Sequence, residues 1–372
     1  MKPWSNRFTV VLGVCALLGV AACGSSHKGS SSTHASSLSS TPASTSSSSS
    51  PAPKQQYVVG FSNPQGAQPI LQTFQRALIA AGKNLGIKVV PLDAALNVQK
   101  QVSDINQFVA EHVNGIIVFP LAPNTLTPAL NQARAAGIKV LGFNAVVQKP
   151  APGASIAPYT ADFDQGEDYQ GAYLLAKYVA QQLHGSGNVL GIGIGVPVPS
   201  LHFMVQQYQT YLKQLAPGAN WLGTVDNQTD DIAGGETVAS QAATKYHGNI
   251  RAVMAYNDDS AIGAAIAFKN AGIKNPVIVG QNGDPQGVAA IKDGQMSAMI
   301  DIVPWREALI AATMMHDLLT GKSVPNWVAT PVVMYTKSNI GSRLDWNRAV
   351  QEIQSGQLTC QNGGCPSSII SP

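Results

Sequence analysis

Three asparagines offer the clearest chemistry in this chain. Asn144, Asn257 and Asn282 each stand just past a short apolar run, and each side-chain amide carries both donor and acceptor atoms. Such groups brought together suit a neutral polar ligand: a polyol, a modified sugar or an amide-bearing compound. Two acidic runs, Asp162-Phe163-Asp164-Gln165-Gly166 and Asp226-Asn227-Gln228-Thr229-Asp230-Asp231, invite a calcium reading. Both lack the regular oxygen ligands and distant Glu of such a loop; the first is expected to cap a helix, and no metal is expected at either. Gly191-Ile192-Gly193-Ile194-Gly195 is followed by Val-Pro-Val-Pro, which fails the spacing that cradles a pyrophosphate. No Gly-x-Ser-x-Gly elbow and no His-Glu-x-x-His occurs. No catalytic residue and no cofactor are therefore expected.

Cysteine usage points outward from the cytoplasm. Cys360 and Cys365 lie five apart across Gln-Asn-Gly-Gly, and an even pair in an exported chain is expected to close a small disulfide loop. A two-cysteine metal site is the rival, with no other Cys or His near. At the other end, Lys2 and Arg7 precede the apolar stretch Phe8–Val20, then Ala21-Ala22-Cys23-Gly24. That order reads as a secretory signal, and the placement of Cys23 resembles the bacterial lipoprotein lipobox. The resemblance implies cleavage before Cys23, acylation of that residue, and a body held on the extracytoplasmic side of the membrane. Gly24–Pro53 contains fifteen Ser and almost nothing apolar. Such a segment cannot bury enough surface to offset its ordering entropy, and as a coil tether it would span about 30 Å.

The elements that must position these groups alternate from Tyr57 onward. Tyr57–Ser62 reads as a strand, and Phe74, Ala77, Leu78, Ala81 and Leu85 recur at helical spacing. Leu85-Gly86-Ile87-Lys88, Ala136-Gly137-Ile138-Lys139 and Ala271-Gly272-Ile273-Lys274 repeat one joint: a helix closed by glycine, then a strand. Further strands are expected at Ile87–Leu92, Gly115–Phe119, Val140–Phe143, Val189–Gly193, Ala252–Ala255, Val277–Gly280 and Ala298–Ile302. Most are continuously apolar, the mark of parallel strands buried on both faces. The alternation makes the fold α/β. Ligands of such sheets bind past the carboxyl ends of strands, which is where Ser62, Gln68, Phe119, Asn144, His202, Asn257 and Asn282 stand.

Bulk properties narrow the classes. The 372 residues are 12% charged, with a formal net charge of +3 and no basic run, against nucleic-acid binding. Beyond the first 22 residues nothing reaches the roughly 18 apolar residues of a spanning helix, against a channel. The length favours two lobes over one core.

In order, these motifs resemble the type I periplasmic binding proteins, in the ribose- and galactose-binding branch. The carriers are Ser62 with Gln68-Pro69, Gly115–Pro120, Ala255–Ala264 around Asn257-Asp258, Val279–Pro285, and Met299–Trp305, covering about Tyr57 to Ile340. The resemblance implies two Rossmann-like lobes with parallel sheets joined by three hinge segments. It divides the chain into a signal (1–22), anchor and linker (23–56), lobe one (57–158 and 303–330), lobe two (159–302 and 331–340) and a tail (341–372). It implies a small-molecule solute in the interlobe cleft, delivered by a monomer to an ABC permease and ATPase complex. The chain departs from the sugar pattern at three points: Asn144-Ala145 replaces an Asp-Arg pair, Ser200–Met204 lacks an Arg, and Asn282 replaces an Asp. Phe119 is the expected stacking ring, with His202 and Phe203 as second-lobe contacts; if Asn144 faces the cleft, Phe143 packs elsewhere, since strand neighbours alternate sides. A receptor that signals to a membrane kinase, and less so an exported α/β enzyme, remain the alternatives.

Overall fold

The computed structural model describes residues 56–366 apart from 152, 164 and 165. The signal segment, Cys23 and the Ser-rich stretch lie outside the described residues. The chain begins with β1 (Tyr57–Asn63), α1 (Pro69–Asn84), β2 (Ile87–Asp93), α2 (Val98–Ala110), β3 (Gly115–Val118), α3 (Pro123–Ala135), β4 (Lys139–Phe143) and β5 (Ala161–Phe163). It continues through α4 (Ala172–Gln182), β6 (Ser186–Ile194), α5 (Pro199–Leu215), β7 (Gly218–Asn227), α6 (Ile232–Lys245), β8 (Ala252–Ala255), α7 (Asp258–Asn270), β9 (Val277–Asn282), α8 (Pro285–Asp293) and β10 (Ala298–Asp301). It closes with α9 (Pro304–Leu319), β11 (Trp327–Val328), β12 (Val333–Thr336) and α10 (Trp346–Gln354).

Two six-stranded sheets result, ordered β11-β5-β4-β3-β1-β2 and β12-β10-β9-β8-β6-β7. All pairings are parallel except β10 with β12. Local chemistry explains the units. In α1, Pro69 sits in the first turn, where its missing N–H costs nothing, and Ile70, Leu71, Phe74, Ala77, Leu78 and Ala81 form the buried stripe. The repeated joint glycines Gly86, Gly137 and Gly272 have φ of 75°, 82° and 71°, the left-handed conformation that ends a helix without a Cβ penalty. Phe61, Phe74, Phe143 and Phe163 pack ring against ring in the core of the first lobe.

The chain passes between sheets after β5, between β10 and α9, and between β11 and β12. β5 pairs with β4 through Leu141–Ala161 and Phe143–Phe163, so residues 161–163, expected in lobe two, belong to the sheet of lobe one. A three-residue strand gives too little periodicity to be read. Of the run expected to cap a helix, Asp164 and Gln165 lie outside the described residues, and Asp162 lies within β5. Its carboxylate accepts from the N–H groups of Ala145 and Val146 at 3.0 and 3.1 Å, closing the loop after β4.

The segment 341–372, read as a tail, contains α10. Asp345 caps it by accepting from Arg348 N at 3.0 Å, and Trp346, Ala349, Val350 and Ile353 are buried against α1 and α9. The chain thus returns to lobe one after β12. Beyond it, Cys360 and Cys365 sit with Cα atoms 4.5 Å apart, inside the range disulfides use, and Thr313 Oγ1 lies 3.2 Å from the Cys360 sulfur.

Candidate functional site

The carboxyl ends of both sheets meet at one cavity, lined by Gln68, Ile70, Leu71, Phe119 and Phe143 from lobe one, Leu201, Asp230, Tyr256, Asn257 and Asn282 from lobe two, and Ile302 at a crossing. Its volume is about 70 Å³.

Asp230 is its centre, within the run Asp226–Asp231 that in sequence resembles an incomplete metal loop. It follows β7, a strand missed because its exposure alternates along a sheet edge. Asn227 shapes the turn: its Oδ1 accepts from Thr229 N and Asp230 N, each at 3.1 Å. Asp231 caps α6 by accepting from Gly234 N at 2.7 Å. With those neighbours used locally, Asp230 turns inward and is 7% exposed. Tyr256 donates its hydroxyl to Asp230 Oδ1, and Asn257 Nδ2 donates to the same oxygen at 2.9 Å. Across the cleft, Gln65 Nε2 and Gln68 Nε2 each donate to Oδ2 at 3.0 Å, and Gln68 also reaches the Asp230 carbonyl at 2.6 Å. One carboxylate therefore ties the two lobes together through neutral donors. Burial pushes it up to about 6 from 3.8, with the negative charges of Asp259 and Asp231 adding to the rise and the Tyr256 and Gln68 hydrogen bonds opposing it. Burial together with that carboxylate raises Tyr256 in turn and keeps its hydroxyl a donor.

The structure divides the expected site residues. Gln68, Phe119, Asn257 and Asn282 line the cavity. Asn257 has two duties at once: its Oδ1 accepts from Ser260 N at 2.8 Å to cap α7, while its Nδ2 holds Asp230. Asn282 donates to Asp284 Oδ2 at 3.3 Å. Phe119 packs against Phe143, ring centroids 5.0 Å apart, and its backbone is held by Gln101, whose Nε2 donates to Phe119 O at 2.7 Å and to Ser62 Oγ at 3.2 Å.

Ser62, Asn144 and His202 are outside the lining. Ser62 is fully buried beneath the Gln101 amide. Asn144 has φ of 52°, a left-handed turn conformation that asparagine tolerates, and its N–H donates to Phe163 O at 2.8 Å; Phe143 faces the cavity in its place. His202 Nε2 lies 3.0 Å from Val196 O, and Leu201 supplies the lining. Phe203 packs edge-on to Tyr169. The side taken at a strand end or in a first helical turn depends on backbone dihedrals that spacing does not reveal.

Behind the cavity lies a second carboxylate layer. Asp258 Oδ2 accepts from Gly283 N and Asp284 N, both at 2.9 Å. Burial raises Asp258 well above the ordinary range and pushes Asp284 up to about 8, with the charge of Asp259 adding to the rise. Asp301, at the end of β10, accepts from Arg343 Nε at 2.6 Å, from Trp346 Nε1 at 3.2 Å and from Val303 N at 2.7 Å.

Known proteins share this fold. The family model described as periplasmic binding protein domain matches residues 59–323. The ribose import binding protein of Bacillus subtilis is 24% identical over 284 residues, 76% of this chain and 88% of that protein. Among solved structures, an ABC transporter solute-binding protein from Actinobacillus succinogenes with bound D-allose superposes with a TM-score of 0.69 at 21% identity, covering 77% of this chain and all of that one. The Caulobacter myo-inositol binding protein superposes with a TM-score of 0.69 at 22% identity, covering 78% and 96%.

Proposed function

Because this chain belongs to the periplasmic binding protein domain family, we propose that it captures a small neutral polar solute, a sugar, polyol or related metabolite, between its lobes and delivers it to an ABC importer. The observation that carries the reading is the Asp230 centre: a buried carboxylate with amide and hydroxyl partners from both lobes, in a cavity with no Lys or Arg among its described lining residues. A carboxylate with no cation beside it disfavours anions by direct repulsion and accepts well from ligand hydroxyls, since hydrogen bonds to a charged acceptor are about twice as strong as neutral ones. Gln65 and Gln68 supply the means of exchange. When the lobes part, the two acceptor positions they occupy on Asp230 open to a ligand, and a ligand touching both lobes favours the closed form through its differential affinity.

The wider setting belongs to the same proposal. Acylated Cys23 anchors the protein on the extracytoplasmic face, the Ser-rich segment tethers it, Cys360 and Cys365 form a disulfide, and the protein works as a monomer. Among the described residues no helix is long and apolar enough to cross a membrane, which is compatible with anchoring through lipid. Thermal-shift screening of the full chain against sugars, polyols, nucleosides and amino-acid derivatives tests the function, because a ligand that binds only the folded state raises the melting temperature. A rise with a neutral polyol or sugar is expected; a rise only with anionic compounds would refute the reading.

A further inference from the structure

The two walls of the cavity differ in kind. Lobe one contributes Ile70, Leu71, Phe119 and Phe143, with Gln68 its only polar lining residue; lobe two contributes Asp230, Tyr256, Asn257 and Asn282, with Leu201 its only apolar one. Much of the polar capacity is already committed. Asn257 spends its oxygen on the α7 cap and its amide on Asp230. Asn282 spends its amide on Asp284, and the Tyr256 hydroxyl proton goes to Asp230. The positions that lobe opening releases are the two on Asp230 Oδ2 held by Gln65 and Gln68, together with the amides of those glutamines.

Polar groups for a ligand therefore gather on the lobe-two side and on Gln65 and Gln68, while the rest of the lobe-one wall offers none. A ligand oxygen directed at Ile70, Leu71 and the two phenylalanines finds no partner there. Each buried hydroxyl without a partner weakens binding by about 5- to 150-fold, whereas a methyl or methylene in the same place gains by leaving water. Resting on the solute-binding reading above, we infer that the ligand is an amphipathic, deoxygenated polyol: vicinal hydroxyls along the edge that meets Asp230, and a CH₂ or CH₃ edge that meets lobe one.

Matched pairs test this by titration calorimetry on the full chain: propane-1,2-diol against glycerol, 2-deoxy-D-ribose against D-ribose, and D-fucose against D-galactose. The deoxygenated member is expected to bind at least about tenfold more tightly in the best-binding pair, the effect of one avoided unpaired hydroxyl. Ile70→Thr and Phe119→Tyr, each adding a hydroxyl to the lobe-one wall, should each shrink that ratio while keeping the wild-type melting temperature within a few degrees. Equal or tighter binding of the hydroxylated members overturns the inference and leaves the solute-binding reading standing. A ratio unchanged in both variants also overturns it, by placing the selectivity elsewhere. Binding by no member of any pair, while the thermal screen finds another neutral solute, overturns the inference alone.

Discussion

Two buried aspartates of lobe two, Asp230 and Asp301, solve the same problem in opposite ways. Each is nearly inaccessible to water, 7% and 3% exposed, and each needs donors to remain there as an ion. Asp301 has a permanent cation. Arg343 binds it by Nε and also donates to Gly283 O at 2.6 Å, and Trp346 brings in the first turn of α10. The cluster sits beside the Ile302–Val303 crossing, so its charge pair fixes the frame about which the lobes join. Asp230 has only neutral donors, two of them on the opposite lobe. Its partners can leave and be replaced by water or by a ligand without stranding a bare cation. A charged partner makes a joint; neutral partners make a contact that can be exchanged.

Breaking the joint should cost most. Arg343→Met leaves Asp301 buried beside Trp346 without its counter-ion, and losing one member of a buried pair costs about 3–5 kcal/mol. Urea denaturation should show that loss, and a double Arg343→Met, Asp301→Asn variant should recover part of it. A loss under about 1 kcal/mol would mean that the pair behaves like a surface salt bridge.

The next effect is a pH dependence. Asp284 rises from 3.8 to about 8 and Asp230 from 3.8 to about 6. A folded-state value above the unfolded one means the protonated form is preferred on folding. The contribution is complete below about pH 4 and is lost as pH rises through the folded value. Melting temperature should therefore fall between pH 4 and pH 8, from these groups, and Asp284→Asn should flatten the upper part of the fall. A wild-type curve rising through pH 6–8, unaltered in the variant, would contradict this.

Asn257→Ala separates the two duties of one side chain. Loss of the α7 cap should lower stability by about 0.5–2 kcal/mol, while the lost support of Asp230 should weaken solute binding as well. Stability loss with unaltered affinity would reduce Asn257 to a cap. The smallest effect belongs to Gln65→Ala, which removes a single cross-lobe hydrogen bond worth about 0.5–1.5 kcal/mol. Small-angle scattering of the unliganded variant should show a larger mean radius of gyration; an unchanged radius would mean that Gln68 alone carries the contact.

How legible was all this in the residues? The α/β alternation, the glycine-closed helices and the core strands were open to reading because their apolar runs and turn residues act locally. The short or alternating strands β5, β7, β11 and β12 were not, since they depend on neighbours in the sheet for their existence. The site was legible where side chain and local role coincide: Asn257 follows an apolar run and precedes a helix, and it does line the cavity. Asp230 was hidden because its inward turn is set by Asn227 and Asp231, and its meaning is set by Gln65 and Gln68, more than 160 residues away. At Asn144 the backbone is left-handed, and Phe143 beside it lines the cavity.

The exchangeable carboxylate is the centre of the account, and calorimetric titration of Asp230→Asn with a solute found in the thermal screen tests it most directly. The isosteric amide keeps the shape but loses the charge and turns one acceptor into a donor facing Gln65, Gln68 or the ligand. Affinity should fall by about 5- to 150-fold with the melting temperature of the unliganded protein changed by only a few degrees. Wild-type affinity in Asp230→Asn would show that the solute is held elsewhere and that the contact between Asp230 and the two glutamines only packs the lobes together.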